Sequence, residues 1–270
     1  MDHVFTGVYN SEDNSSKIVG QVYQSPNMSG AHINYLLQPE ESDPNDLVIL
    51  LEGLVKEAGY WGAKQITADL DTDSALFPQF RRAGFSVLAK QRIFHCAVPE
   101  ESQSIQGVWR IWTSEDIPIM RRLYLTLVPP LIQPVEPLTR RETLGLVLND
   151  NQNRLQAYAD LVYGPVGIWV LPLVHPKTEI PIDKLLSEML RSLPDINGRP
   201  VYVTARSYQP WVESGLESIG GLPGPEQGLM IHYMAMRQRL GAEFSFAPVE
   251  KNGKPETTVP YSPISNHYDG

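Results

Sequence analysis

The sequence predicts an α/β protein of the mixed, α+β kind, built as two similar halves, each a mainly antiparallel sheet flanked by helices. Three observations predict it. Short strands parted by polar turns open the first half; amphipathic helices then alternate with buried strands; and after a segment of linker composition, PEESQSIQG at 99–107, the pattern begins again. A length of 270 residues exceeds one usual domain of about 100 to 200 residues and fits two modest ones.

HVFTGVYN, KIVGQVYQ and AHINYLL, separated by SEDNSSK and SPNMSG, read as an antiparallel meander. Leu47, Leu50, Leu51, Leu54 and Val55 recur at helical spacing, with Asp43 or Asn45 placed to cap the helix and Gly59 or Gly62 to end it. KQITADL then reads as a buried strand, DSALFPQFRRAGF as a helix closed by Gly84, and SVLAKQRIFHCAV as a long last strand.

Beyond the linker, VWRIWTSEDIPIMRRLYLTLVPPL combines a strand, a cap at Thr113 or Ser114 and an amphipathic helix over 115–127 stopped by Pro129 and Pro130. TLGLVLND and RLQAYADLVYG form a hairpin across NDNQN, and GIWVLPLV is a strand whose ladder Pro172 interrupts, giving a splay or a bulge. A helix near 182–193, the strand PVYVTA, a helix through QPWVESGLESIG and the strand GLMIHYMAM complete the order. Aligning QFRRAGF with GLESIGG brings KQITA close to PVYVT and KQRIFHC close to EQGLMIHY, as an internal duplication would. The domains so read are 1–102, truncated, and 107–240. Residues 241–270 read as a tail, loosely structured or draped over another surface.

Composition excludes several functions. A net charge of -9 with no lysine or arginine run excludes a general nucleic-acid binder. Cys96, the sole cysteine, can form no intrachain disulfide or Cys-rich zinc site, and its setting, RIFHCAV, predicts a buried thiol. No histidine pair has metal-ligand spacing, and no Gly-x-Ser-x-Gly elbow marks a hydrolase. MDHVFTGVYN has no basic region or apolar core of a leader, and no run of about 18 apolar residues occurs, so the expectation is a cytoplasmic protein with no membrane partner. Trp109, Trp112, Tyr158, Tyr163, Trp169 and Trp211 are expected in the core or between the domains.

DSALFPQFRRAGFSVLAKQRIFHC, with the strand, helix and strand before it, resembles the GNAT superfamily of acyl-CoA N-acyltransferases; YQPWVESGLESIGGLPGPEQGLMIHYMAM resembles it again. The resemblance covers most of residues 1–240. It implies a mixed, mainly antiparallel sheet in which two neighbouring strands splay to admit the pantetheine arm of acetyl-CoA or another acyl-CoA. The pyrophosphate of that substrate rests on N–H groups at a glycine-rich turn opening the next helix, where the helix dipole and unpaired donors attract an anion. Neither half keeps that turn. Glu40, Glu41, Asp43 and Pro44 fill it in the first; HPKTEIPID, with Lys177 and Thr178 but no glycine, fills it in the second. The tyrosine that protonates the leaving thiolate in the family is replaced by Phe80 and Leu216.

The second half is therefore the expected place for an acyl-CoA, with Leu173, Val174, His175, Lys177, Thr178, Arg206 and Tyr208 as its binding residues; no catalytic residue and no metal ligand is assigned. The alternative, a loop histidine, a solvated lysine and a helix-capping region, stays open. Two functions follow: an N-acyltransferase acting on a small-molecule or peptide amine, or a catalytically degenerate acyltransferase fold that binds or scaffolds. A homodimer or a protein partner is open to either.

Overall fold

In a computed structural model, residues 2–11, 17–26, 28–39, 42–100, 108–138, 144–150 and 152–234 are described. The first half runs β1 (His3–Asn10), β2 (Lys17–Gln24), β3 (Gly30–Leu37), α1 (Pro44–Tyr60), β4 (Gln65–Asp71), α2 (Phe77–Arg82) and β5 (Ser86–Cys96). The second runs β6 (Val108–Ile111), a short 3-10 turn (Ser114–Asp116), α3 (Ile117–Leu127), β7 (Leu144–Asn149), β8 (Leu155–Tyr163), β9 (Ile168–Val174), α4 (Ile182–Arg191), β10 (Val201–Arg206), α5 (Pro210–Ser218) and β11 (Leu222–Tyr233).

Local chemistry explains the helix ends. Asp43 caps α1, its carboxylate accepting the Asn45 N–H at 2.8 Å, and Pro44 fills the first turn, where no N–H is missed. Thr113 opens the turn before α3 in a capping box with Asp116. α2 and α5 end alike. Gly84 and Gly220 stand at φ +85° and +80°, and the following N–H reaches back to the carbonyls of Phe80 and Leu216, at 3.0 and 2.9 Å. The two glycine-closed helices read from the sequence thus end in the same backbone geometry.

The strands make one eleven-stranded, mainly antiparallel sheet in the order β1-β2-β3-β4-β11-β5-β10-β9-β8-β7-β6. The sequence implies a separate sheet in each half; the single sheet arises because the halves have exchanged their last strands. β11 pairs with β4, β5 pairs with β10, and β5 and β11 pair with each other down the middle. β11 also begins earlier than expected, at Leu222, and runs through Pro223 and Pro225. Its register shifts between Pro223 and Glu226, where a residue lacking an N–H breaks no regular ladder bond. The stretch 101–107, on which the expected domain limits fall, and 235–270, which holds the expected tail, lie outside the described residues.

α1 and α2 pack over the first-half strands with Leu47, Leu51, Leu54, Ile66 and Phe80, and α4 and α5 over the second with Leu185, Met189, Val203 and Leu216. On the opposite sheet face α3 and the strap that follows it, residues 128–138, cover Val147, Tyr158 and Leu173. In each half one parallel pair opens after three residues. β3 meets β4 only at 30–32 against 65–67, and β9 meets β10 only at 168–170 against 201–203. These are the two splays the resemblance implies.

Candidate functional site

The second splay is bounded by the free edge of β9, from Pro172 to Val174. Pro172 has no N–H to offer. Its carbonyl accepts from Gln209 Nε2 at 3.1 Å, Gln209 Oε1 accepts the Val174 N–H at 2.9 Å, and Trp211 Nε1 donates to the Val174 carbonyl at 3.2 Å. Gln209, at the start of α5, is fully buried. Its amide stands where a peptide group of an added strand would stand, so every backbone group this edge presents is already engaged or absent.

The turn leading into α4 is closed on itself in the same way. His175 N–H donates to the Gln156 carbonyl at 2.8 Å, Lys177 N–H to His175 Nδ1 at 3.1 Å, Thr178 N–H to the His175 carbonyl at 3.1 Å and Ile180 N–H to Thr178 Oγ1 at 3.2 Å. Pro176 and Pro181 have no donor, and Asp183 lies in the first turn of α4. The N–H groups of the turn itself are thus engaged; those that open α4 carry no side-chain cap, and the Asp183 carboxylate sits beside them. In the first half the Asp43 carboxylate itself occupies the start of α1; Glu40 and Glu41 lie outside the described residues.

Across the middle of the sheet, Asp71, Gln227, Gln91 and Arg206 stand directly opposite one another on β4, β11, β5 and β10. Gln227 Nε2 donates to Asp71 Oδ1 at 3.0 Å, and Gln91 Nε2 to Gln227 Oε1 at 3.0 Å and Asp69 Oδ1 at 3.1 Å. Arg206 donates to Gln91 Oε1 and forms an ion pair with Glu136 of the strap. Arg206 is 4% and Gln91 6% exposed, while Asp71 and Gln227 are half-buried, so this row is a polar ladder, buried at its Arg206 end, that joins strands of both halves.

Beside its end lies a cleft lined by Tyr124, Glu136, Tyr158, Asp160, Trp169 and Tyr208 with leucines of β9, about 30 Å³ in volume, room for little more than a water. Trp169 Nε1 donates to Thr204 Oγ1 at 2.6 Å, and the Tyr124 hydroxyl lies 2.8 Å from the Glu136 carbonyl. Burial, reinforced by the Glu136 carboxylate, pushes the Tyr124 phenol up to about 12. Burial also raises Tyr158, helped by Asp160, and Tyr208, helped by Glu136. All three stay protonated at neutral pH.

The seven residues named from the sequence fall into two groups. Leu173 and Tyr208 line the cleft and Arg206 is locked in the ladder beside it. His175, Lys177 and Thr178 form the self-bonded turn, with Lys177 exposed, and Val174 is the edge residue closed by Gln209 and Trp211. No hydrogen bond or ion pair joins the two groups among the described residues. Phe80 and Leu216, at the places of the family's tyrosine, are 2% and 0% exposed core residues. Sequence reasoning missed Gln209, Gln91 and Glu136. One signal existed: Gln209 holds the position before Pro210 where a Ser, Thr, Asp or Asn would cap the helix, and it makes no cap bond. Among the described residues no group of three or more His, Cys, Asp or Glu is placed to hold a metal, and no helix is long and apolar enough to cross a membrane.

An eleven-stranded, mainly antiparallel sheet with two splayed parallel pairs and glycine-closed helices keeps the features the resemblance implies in each half, and comparison with solved structures agrees with a GNAT fold. A GCN5-related N-acetyltransferase from Kribbella flavida matches 87% of this chain and 91% of its own at 12% identity, with a TM-score of 0.55. A tandem GNAT protein from the clavulanic acid biosynthesis pathway matches 86% and 83% at 11% identity, TM-score 0.53. A functionally unknown conserved protein from Staphylococcus epidermidis matches 80% and 91% at 12% identity, TM-score 0.58. The chain thus has the fold of the GNAT superfamily; identities this low speak for fold alone. No family model and no curated protein matches the sequence.

Proposed function

We propose that this protein is a catalytically degenerate GNAT fold that serves as a binding or scaffolding protein. The observation that carries the reading is the Gln209 amide seated between Pro172 and Val174. A pantetheine arm entering that splay would have to displace a fully buried side chain and leave its partners to be satisfied anew. The self-bonded turn at 175–180, the Asp43 cap and the apolar Phe80 and Leu216 support the same reading at the pyrophosphate and proton-donor positions.

The second reading is an N-acyltransferase using the second half, with an acyl-CoA held by Leu173, Val174, His175, Lys177, Thr178, Arg206 and Tyr208 and an amine as acceptor. One observation favours it: three protonated tyrosines, Tyr124, Tyr158 and Tyr208, lie together in that cleft, and a phenol can protonate a leaving thiolate. Thiol release from acetyl-CoA, followed over a panel of small amines and amine-terminated peptides, separates the readings. The binding-protein reading expects no release above the rate without protein. Turnover that falls with Tyr208→Phe would establish the enzyme reading instead.

A further inference from the structure

The two ends of the sheet are protected differently. β6, at one end, is four residues long and carries Arg110, and short or charged edge strands resist pairing with other chains. β1, at the other, is eight residues long, holds no acid, lysine, arginine or proline, and pairs with β2 in an unbroken register. Val4 and Val8 are 56% and 50% exposed, and among the described residues no strand lies beyond β1.

α1 lies over this same edge. A Cβ on Gly7 of β1, or on its partner Gly20 of β2, would meet Leu50 and Leu54 at 2.9 to 3.2 Å, so the helix runs between the two strands. α1 crosses from β3 to the parallel β4, and a right-handed crossover turns Val48 and Val55 toward β3 and the core. The opposite flank, with Gly53 between Ile49 and Tyr60, then faces the β1 edge. Ile49 is 47% and Tyr60 71% exposed, and a Cβ on Gly53 would meet nothing within 4 Å. No packing among the described residues thus calls for a glycine in the middle of this helix, where glycine is a poor helix former.

We propose that β1 pairs antiparallel with β1 of a second copy of this chain, about a two-fold axis at Thr6, so that the sheet continues from one copy into the other. In that register Val4 faces Val8, Phe5 faces Gly7 and Thr6 faces itself, pairs that sheets favour, and Asp2 faces Asn10 rather than another acid. An axis at Gly7 would instead set Val4 against Asn10 and glycine against glycine. The helices select a second copy over a foreign strand. A two-fold axis normal to the sheet keeps both α1 helices on one face, each one strand spacing from the axis. They then stand about 9.6 Å apart, within the 8 to 10 Å of packed helices. Gly53, between Leu50 and Leu54 at the level of Gly7, falls beside the axis, where the lack of a side chain permits that approach. A strand alone would leave this flank uncovered. The strand and helix layers, each about 27 Å long and about 10 Å deep, give roughly 500 Å² on each partner, the size of a weak but specific contact. The pairing needs neither functional reading.

Sedimentation of the full chain over about 1 to 200 µM is expected to show a monomer–dimer equilibrium with a Kd between about 1 and 100 µM. Thr6→Lys and Gly53→Lys should each weaken it about tenfold or more, the second without loss of helix, since lysine there replaces a poor helix former at an open position. Val166→Lys, at an exposed loop position, leaves it unchanged. Circular dichroism of each variant verifies the fold. Cysteines read the register. Across the proposed pairing the two Thr6 positions lie about 4.5 to 5.5 Å apart, within disulfide reach, and the two Val8 positions about 14 Å apart. Diamide, which takes two electrons and two protons from a pair of thiols, should therefore link Thr6→Cys into covalent dimers and leave Val8→Cys unlinked, with Cys96 buried in both. A monomer throughout the concentration range overturns the proposal. So does a dimer that ignores either lysine variant, or one that both cysteine variants link equally. A dimer seen only after removal of residues 235–270 overturns it too, because the full chain would then cover its own edge.

Discussion

The side-chain amide of Gln209 and the backbone of Val174 meet as two peptide groups of adjacent strands would, at 2.9 Å. Because the amide also donates to the Pro172 carbonyl, it seals two polar groups of an otherwise open strand edge, and Trp211 seals the Val174 carbonyl. Gln209→Ala is expected to destabilise the protein by about 1 to 3 kcal/mol, the cost of leaving a buried donor without a partner. Gln209→Leu, similar in size but without the amide, should do no better in urea unfolding; full rescue by leucine would mean that the residue matters only as filler.

The Arg206 ladder ties strands of opposite halves, so its members should not act independently. Arg206→Ala removes both its ion pair with Glu136 and its bond to Gln91 and is expected to cost roughly 3 to 5 kcal/mol. Combining it with Gln91→Ala should cost less than the two singles added, by about 0.5 to 3 kcal/mol, because the second change removes a bond the first has already broken. Strict additivity in a double-mutant cycle would dissolve the ladder into separate contacts.

Cys96 is 3% exposed, and burial pushes its thiol up from 9.0 to about 11. At pH 8 the native protein should resist a thiol-exchange reagent that reacts at once when denaturant is added. The raised value also sets a sign. The contribution of the neutral buried thiol is intact below pH 9 and is lost as pH rises through about 11, so Cys96→Ala should flatten the alkaline fall in stability over that window.

At the start of α3, two hydrogen bonds from Arg110, of 2.6 and 2.7 Å, and the Thr113 N–H at 2.8 Å hold the Asp116 carboxyl below its ordinary value of 3.8. A lowered carboxyl stabilises the fold above its unfolded value and loses that contribution as pH falls through the folded one. Asp116→Asn is therefore expected to cost about 1.5 to 3 kcal/mol at pH 7. The gap to the unaltered protein should close below pH 3.8. An equal gap at both pH values would assign Asp116 a role unrelated to its charge.

Most elements were legible because they rest on local chemistry. The meanders came from polar turns, α1 from its leucine spacing and Asp43 cap, and the ends of α2 and α5 from Gly84 and Gly220. The single sheet was not, because strand exchange depends on which edges meet in space, and the strands SVLAKQRIFHC and LPGPEQGLMIHY read the same whichever neighbour they take. Pro223 and Pro225 hid the start of β11 for the reason they normally mark a turn. At the site, the loss of the glycine turns and tyrosines could be read residue by residue. The closure by Gln209 could not: a glutamine after a strand and before a proline carries no sign that its amide turns back 35 residues to pair with another strand.

Calorimetric titration of the full chain with acetyl-CoA tests the closure of the splay most directly. Micromolar binding of any ligand would stabilise the fold by about 2.7 kcal/mol at a hundredfold excess over Kd, so the same samples can be read by thermal unfolding. A closed splay predicts no saturable heat and no thermal shift up to about 1 mM. Saturable binding in the micromolar range, weakened by Lys177→Glu, would show that the splay opens to the pantetheine arm and would contradict the account.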